Sequence, residues 1–136
     1  MRIIGIDYGD ARVGVATSDP LCITAQGVGK VKNKGTEKLL SELKKIIDAY
    51  LPERIVIGLP KNMDGSLGFR AEATYQFADA LKSIYSGEIV FWDERLTTVG
   101  ASRYLNETNT SGKARKNVID TLSACLILEG YMQKNC

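Results

Sequence analysis

Acidic residues stand at three places where the sequence predicts that strands end or a helix begins. Asp7 closes the apolar segment RIIGID, Asp93 and Glu94 follow the apolar segment EIVFW, and Asp120 lies early in a carboxyl-terminal helical segment. Carboxylate oxygens are preferred ligands of the hard cations Mg²⁺ and Mn²⁺. Two such ions about 4 Å apart can activate water against a phosphodiester and stabilise the leaving oxygen. The pattern therefore favours a metal-dependent nuclease if the fold brings these acids together.

Each acid also has an interpretation without catalysis. Asp7 could begin an Asx turn in a hairpin. Asp93 and Glu94 could be acids at a helix entry, and Asp120 could be another, because the helix macrodipole favours negative charge near an N-terminus. Taken singly, none of these residues establishes a site.

The composition narrows the chemistry further. Histidine is absent from the 136 residues, and the cysteines are Cys22, Cys125 and Cys136, with no C-x-x-C pair. The absence of histidine removes the usual general base and the commonest transition-metal ligand. The cysteine pattern argues against a disulfide framework or a zinc knuckle and predicts reduced thiols. Catalysis must then depend on carboxylates, on lysines or on a metal held by oxygen.

Basic residues are clustered although the net charge is only +2. Such clusters are often solvated loops, and they become candidate phosphate contacts when a catalytic site lies beside them. The two clusters consist of Lys30, Lys32, Lys34 and Lys38, and of Lys113, Arg115 and Lys116.

Length and hydropathy predict one soluble, cytoplasmic domain spanning residues 1–136. The chain is 44% hydrophobic and 25% charged. It has neither a run of about 20 apolar residues that would span a bilayer nor a secretory signal pattern.

The spacing of apolar residues predicts the element order β-β-β-α-β-α-β-α-α. A stripe at i, i+4, i+7, i+8 and i+11 indicates a helix, and short runs of β-branched residues indicate strands. Strands are predicted over 2–7, 12–17, 22–32, 54–59 and 88–92, helices over 36–50, 69–85, 97–107 and 116–133, and a mobile basic loop over 108–116. The last helix is predicted to bury Val118, Ile119, Leu122 and Leu126.

This order predicts an α/β fold with one mixed five-stranded sheet, three antiparallel strands followed by β-α-β units, and helices on both faces. The first strand can lie parallel to strand 54–59, so that Asp7 and Asp93 meet at the edge where functional groups gather in open α/β sheets. The last helix could then bring Asp120 over that edge. The small residues Gly5 and Gly9, and Ser123 with Ala124, are expected to leave room there for substrate or a metal-bound water.

Four motifs in this order resemble the YqgF/RuvX family, the Holliday-junction-resolvase-like proteins of the ribonuclease H superfamily. They are DYGDARVGVA at 7–16, GLPKNMDGS at 58–66, WDERLTT at 92–98 and IDTLSACLIL at 119–128. Together they span nearly the whole chain, and the combination is far more specific than any one of them.

The resemblance implies a ribonuclease H-like fold and a nuclease that uses Mg²⁺ or Mn²⁺ to mature the 5′ end of precursor 16S ribosomal RNA. The family's acidic residues map onto Asp7, Glu94, with Asp93 beside it as a further possible ligand, and Asp120. The implied partner is nucleic acid, RNA rather than DNA, with ribosomal precursor particles as a further candidate. Ala11 stands where the family often has a basic residue.

The basic residues then acquire a predicted role as contacts to the nucleic-acid backbone. Lys113, Arg115 and Lys116 are expected in the loop before the Asp120 helix, with Arg12 and Arg95 nearer the scissile phosphate and Lys30 and Lys32 in the first cluster. These contacts would supply most of the affinity.

Three alternatives stay open from the sequence. A Holliday junction resolvase would use the same acids on branched DNA and should be a two-fold dimer, whereas a monomer or weak homodimer is expected here. A non-catalytic RNA-binding module would keep the surface without turnover. The D-x-G turn also resembles that of actin-like kinases, which need two lobes and so do not fit one domain.

Overall fold

Five strands and three helices form the part of the chain that the computed structural model describes. That part comprises residues 2–9, 11–19, 21, 24–60, 68–93 and 112–135, with the backbone alone for Phe69 and residues 112–120. The elements are β1 Ile3–Tyr8, β2 Arg12–Ser18, β3 Ala25–Lys32, α1 Thr36–Tyr50, β4 Arg54–Leu59, α2 Phe69–Leu81, β5 Glu88–Asp93 and α3 Gly112–Asn135.

The strands form one mixed sheet in the order β3-β2-β1-β4-β5. β1 pairs antiparallel with β2, and β2 with β3, whereas β1 pairs parallel with β4, and β4 with β5. The predicted five-stranded mixed sheet is therefore confirmed. The carboxyl ends of β1, β4 and β5 lie at the same edge.

Helices cover both faces of this sheet, as predicted. Side chains alternate between faces along a strand, so Ile4 and Ile6 pack with apolar residues of α1 and α2 while Ile3 packs with apolar residues of α3. Because both faces are buried, β1 and β4 carry nearly continuous apolar sequence. None of the described helices is both long enough and apolar enough to cross a membrane.

α3 lies unusually close to the sheet because glycine occupies two of the contact positions. A Cβ atom added at Gly5 would lie 2.8 Å from Leu128 Cβ and 3.0 Å from the Ala124 carbonyl oxygen. A Cβ at Gly27 would overlap the hydroxyl of Thr121. The helix backbone can therefore approach the strands only while both strand positions lack side chains.

This close approach corrects the expected contact face of the last helix. Leu122 and Leu126 are only half-buried, whereas the smaller Ala124 and Cys125 are fully buried against the sheet. Periodicity favours large apolar residues as the buried set, but a helix seated on glycines has room for small ones. The thiol of Cys125 is buried and lies 3.9 Å from the hydroxyl oxygen of Thr121.

Residues 112–116 also differ from expectation, because they form the start of α3 rather than part of a mobile loop. The segment lacks an apolar period, but lysine, alanine and arginine are strong helix formers, so the helix extends into it. α2 ends at Leu81, earlier than predicted, because the backbone N–H of Ser83 and of Ile84 bonds the carbonyl three residues back and tightens the chain. The predicted helix 97–107 lies outside the described residues.

The side chain of a buried tyrosine is hydrogen-bonded to the segment between α1 and β4. The hydroxyl of Tyr85 donates a hydrogen bond to the Pro52 carbonyl oxygen at 2.9 Å. Burial raises the pKa of Tyr85 above its ordinary value of 10.0, with a further contribution from the charge of Glu53. The neutral phenol is therefore the form that the folded state stabilises.

Tyr85→Phe is expected to lower the free energy of unfolding by about 1 kcal/mol at neutral pH, because the Pro52 carbonyl loses its donor. The contribution of a group whose pKa is raised on folding is complete below the unfolded pKa and is lost as pH rises through the folded one. The deficit of the variant should therefore shrink above pH 10 in urea denaturation of both proteins. A deficit that stays constant across this range would contradict the assignment.

Candidate active site at the carboxyl edge of the sheet

Asp7 is the penultimate residue of β1, at the edge where β4 and β5 also end. It is half-buried, and alternation along β1 places it on the same face as Ile3 and Gly5, which is the face that α3 covers. The sequence therefore placed this acid correctly at the carboxyl end of a central strand. The structure adds which face it occupies.

Glycines flank Asp7 on both neighbouring strands. Asp7 is opposite Gly14 in β2, and Gly14 is opposite Lys30 in β3. On the other side the β1/β4 register, continued one residue past Ile6 and Ile57, brings Asp7 beside Gly58, which is opposite Trp92. We call this set the Asp7 row: Lys30, Gly14, Asp7, Gly58 and Trp92. The two strand positions beside the carboxylate therefore place no Cβ atom against it, and Gly58 itself is buried.

Cations lie on the same face as Asp7. Arg12 and Lys32 are directly opposite each other across β2 and β3, both are exposed, and Lys30 lies two residues from Lys32. Like charges directly opposite in an antiparallel pair destabilise a sheet. A polyanion lying over this face would remove that repulsion, so the arrangement favours binding of phosphates.

Asp93, in contrast, lies on the other face of the sheet. It is the last residue of β5 and is opposite Leu59, in the series of Ile89 and Phe91, which pack with α1 and α2. The structure therefore does not bring Asp93 to the face of Asp7. The sequence predicts that Asp93 ends a strand, but it does not show which face of the sheet the side chain occupies.

Some of the remaining predicted residues lie outside the described part of the chain, and the others lie on α3. Glu94 and Arg95 lie outside the described residues. Lys113, Arg115 and Lys116 belong to the first two turns of α3 instead of a loop, and Asp120 follows on the same helix. Within the side chains that the structure describes, no group of three metal-binding residues occurs.

The position of Asp120 along α3 is nevertheless informative. It precedes Ala124 by one helical turn, and the carbonyl oxygen of Ala124 faces Gly5, two residues before Asp7. Asp120 also has the i, i+4, i+7 spacing with Ala124 and Ile127, both buried against the sheet. The backbone therefore places Asp120 on the helix that covers the face of Asp7. Gly5 and Ala124 pack against each other, so the expectation that they leave room for substrate is wrong.

The turn after Asp7 has a structural reason for its glycine. A Cβ at Gly9 would lie 2.6 Å from the Arg12 carbonyl oxygen, so the tight turn by itself requires glycine. Asn33 completes the turn: its backbone N–H donates to Ala11 O at 2.9 Å and its Nδ2 donates to Gly9 O at 3.0 Å. Sequence reasoning missed Asn33, because nothing local connects position 33 with residues 9–11.

The Asp7 row ends on a buried indole. Trp92 is 9% exposed, its ring meets Tyr131 edge-on at 6.2 Å between centroids, and its Nε1 finds no hydrogen-bond acceptor in the part of the chain that the structure describes. Trp92 is the single tryptophan of the sequence. Its fluorescence therefore reports on the carboxyl edge of the sheet.

With this geometry established, the family of the chain can be assigned. The family described as RuvX, Holliday junction resolvase, matches residues 1–134. The chain belongs to the RuvX family. This confirms the resemblance carried by the four sequence motifs.

Close relatives agree with the RuvX assignment. A proposed pre-16S rRNA nuclease of Halothermothrix orenii is 52% identical over 132 residues, which cover 97% of this chain and 94% of that protein. A relative of the same name from Clostridium kluyveri is 46% identical, with 98% of each chain covered.

Solved structures show the fold that this RuvX chain shares. RuvC of Thermus thermophilus in complex with a Holliday junction substrate superimposes with a TM-score of 0.65 at 11% identity, covering 98% of this chain and 96% of that one. The Fowlpox virus resolvase, in complex with Holliday junction DNA, gives 0.62 at 11% identity and 98% coverage of both chains. The fold is therefore ribonuclease H-like, as predicted.

Proposed function

We propose that this RuvX chain is a divalent-metal-dependent endonuclease that hydrolyses phosphodiester bonds of precursor 16S ribosomal RNA at the 5′ end. The observation that carries the proposal is the Asp7 row, in which a carboxylate at the carboxyl end of β1 is flanked by two glycines and by cations on one face. The names of the relatives support RNA as the substrate.

In this proposal Asp7, Glu94 and Asp120 hold Mg²⁺ or Mn²⁺, with Asp7 as the central ligand. When bound, the metal supplies an activated water and stabilisation of charge on the leaving oxygen. The carboxylates fix the position of the metal against the sheet. We assign Glu94 rather than Asp93 as the ligand, because the family resemblance maps an acidic residue onto Glu94 and Asp93 ends β5 on the opposite face.

The basic residues bind and orient the nucleic-acid backbone. Arg12, Lys30 and Lys32 supply charge on the Asp7 face, and Arg95 is proposed to lie nearer the scissile phosphate. Lys113, Arg115 and Lys116 follow along α3 toward Asp120, so a helix rather than a loop presents them. Phosphate contacts of this kind position the strand without reading its sequence.

The experiment that tests the function is a cleavage assay with precursor 16S RNA and a four-way DNA junction, each with Mg²⁺ or Mn²⁺ and with chelator. Cleavage of the RNA alone, abolished by chelator, is expected. Cleavage of the junction alone would favour the resolvase, which the family description supports as the second candidate. Absence of cleavage with retained RNA binding would leave a non-catalytic module and overturn the proposal.

Assembly and location complete the proposal. We propose a monomer or weak homodimer that acts in the cytoplasm on ribosomal precursor particles, where the buried thiol of Cys125 would stay reduced. Light scattering across a range of protein concentrations tests the oligomeric state. A stable dimer at the lowest concentration would favour junction resolution.

Lys32→Glu is expected to stabilise the fold while weakening RNA binding. The change replaces the like-charged Arg12–Lys32 pair by an opposite-charged pair, and it should raise the free energy of unfolding by about 0.5 kcal/mol at low salt. The same change removes a phosphate contact, so affinity for RNA should fall. Thermal unfolding and fluorescence anisotropy measure the two effects.

Lys44→Glu, an exposed residue of α1, is the matched control for the change in charge. Because Lys44 lies on a helix, this change should not raise the free energy of unfolding through a cross-strand pair. If Lys32→Glu lowers stability or leaves RNA affinity equal to that of the control, the cationic pair has no functional role.

A further inference from the structure

A groove of about 410 Å³ lies where the edge strand β3 meets the first half of α1. β3 is the outermost strand of the sheet on that side. We call this feature the lysine groove; it is lined by Lys30, Val31, Lys32, Lys34, Lys38, Ser41 and Glu42.

The residues that line the lysine groove carry mostly positive charge. Four of its seven lining residues are lysines, all of them exposed, and Glu42 is the acid among them. Glu42 pairs at 3.2 Å with Lys45, which is not part of the lining. The groove therefore presents concentrated positive charge to an anion.

The positions of these lysines destabilise the protein when no anion is bound. Lys38 lies in the first turn of α1, where the helix macrodipole disfavours a cation. Lys32 lies directly opposite Arg12 across β2 and β3. Mutual repulsion of this kind is relieved when a polyanion binds, which favours a nucleic-acid strand as the occupant.

The lysine groove lies at the outer edge of the sheet and shares Lys30 and Lys32 with the face of Asp7, while α1, its other wall, packs on the opposite face. Lys30 belongs to the Asp7 row, and two interstrand spacings place its strand about 10 Å from β1. Asn33, between the two groups of lysines, is hydrogen-bonded to Gly9 and Ala11 of the turn that follows Asp7. The groove is thus held at a fixed position relative to the proposed catalytic edge.

We infer that the lysine groove binds the sugar-phosphate backbone of the substrate strand a few nucleotides away from the bond that is cut. This inference rests on the proposed nuclease function and extends it to Lys34 and Lys38, which follow the last residue of β3, two strands away from β1. Lysine is a point charge without base-reading geometry, so the groove should bind single-stranded RNA without sequence preference.

The test is the salt dependence of RNA affinity for the double variant Lys34→Ala/Lys38→Ala. Each phosphate contact to a single strand contributes about 0.7 to the slope of log affinity against log salt. The variant should therefore lose about 1.4 from the slope and bind more weakly below about 0.1 M salt. Fluorescence anisotropy with a labelled single-stranded RNA in chelator measures this without cleavage.

Lys44→Ala/Lys82→Ala is the matched control, since it removes two exposed lysines outside the groove. Its slope should equal that of the wild type. Equal slopes for the groove variant and the control would refute the inference, even if the wild type cleaves RNA. A reduced slope with no cleavage by the wild type would support the groove and refute the nuclease instead.

Glu42→Gln supplies a test in the opposite direction. Removal of the acid from the groove lining should strengthen RNA binding by about twofold, the scale of one surface charge pair. A misfolded variant would not bind more tightly, so this result separates a local electrostatic effect from damage. Unchanged or weaker binding would count against the groove as the path of the strand.

Discussion

Asp7→Asn is expected to lower the rate of RNA cleavage by about 10³-fold or more. The carboxylate is the central ligand proposed for the metal, and metal stabilisation of the transition state amounts to several kcal/mol, each 1.36 kcal/mol being tenfold in rate. The amide keeps the shape of the side chain beside Gly14 and Gly58. Single-turnover cleavage with saturating Mn²⁺ measures the loss.

Metal binding gives this prediction a second readout. Trp92 is the single tryptophan and ends the Asp7 row, so paramagnetic Mn²⁺ near Asp7 should quench its fluorescence. Asp7→Asn should weaken the quenching titration, and thermal unfolding should show a folded protein. Equal cleavage by the variant, or quenching with unchanged affinity, would remove Asp7 from the metal site.

The same substitution at two further aspartates provides controls for Asp7→Asn. Asp48→Asn, at an exposed position of α1, controls for the loss of one negative charge and should cleave at the wild-type rate. Asp93→Asn should lose much less activity than Asp7→Asn, because Asp93 is opposite Leu59 on the other face of the sheet. A loss at Asp93 as large as that at Asp7 would show that both faces contribute to the site.

Gly5→Ala is expected to lower the free energy of unfolding by about 1–3 kcal/mol, the usual cost of an overpacked contact. The added methyl group would press on Leu128 Cβ at 2.8 Å and on the Ala124 carbonyl oxygen at 3.0 Å. The second contact is helix backbone, so relief requires α3 to move away from β1. Because α3 carries Asp120, cleavage should fall by more than the loss of folded protein explains.

Ile6→Val is the control for this prediction. It removes one methyl group from the opposite face of the same strand and should cost about 0.5–1.5 kcal/mol without touching α3. Both variants are compared at a temperature where each is fully folded. If Gly5→Ala and Ile6→Val cleave equally well at that temperature, the seating of α3 does not control the site.

Local pattern was sufficient for most of the elements. The bounds of α1 and β4 match the predicted 36–50 and 54–59. A buried strand and an amphipathic helix each repeat their apolar residues over a few positions, so a short window contains the information. The Asp7 turn was predicted on the same grounds, and the four motifs were specific enough to indicate the family.

Local pattern failed where the deciding contact was distant in sequence. Leu122 and Leu126 were expected in the core but are only half-buried. The side of α3 that meets the glycines of β1 and β3 carries Thr121, Ala124 and Leu128 instead. The first turns of α3 were expected to be a loop because they have no apolar residues to pack. Helix propensity extends a helix that is anchored farther along the chain, and periodicity does not detect this.

The sequence by itself determined the family, the parallel pairing that places strand ends together, and Asp7 as an acid at the carboxyl end of a central strand. Only the tertiary structure decided that Asp93 lies on the opposite face, that Gly14 and Gly58 stand beside Asp7, and that the lysine groove shares Lys30 and Lys32 with that face. The physical reason is register. A shift of one residue between strands moves every side chain to the other face, and pairing between distant segments sets that shift.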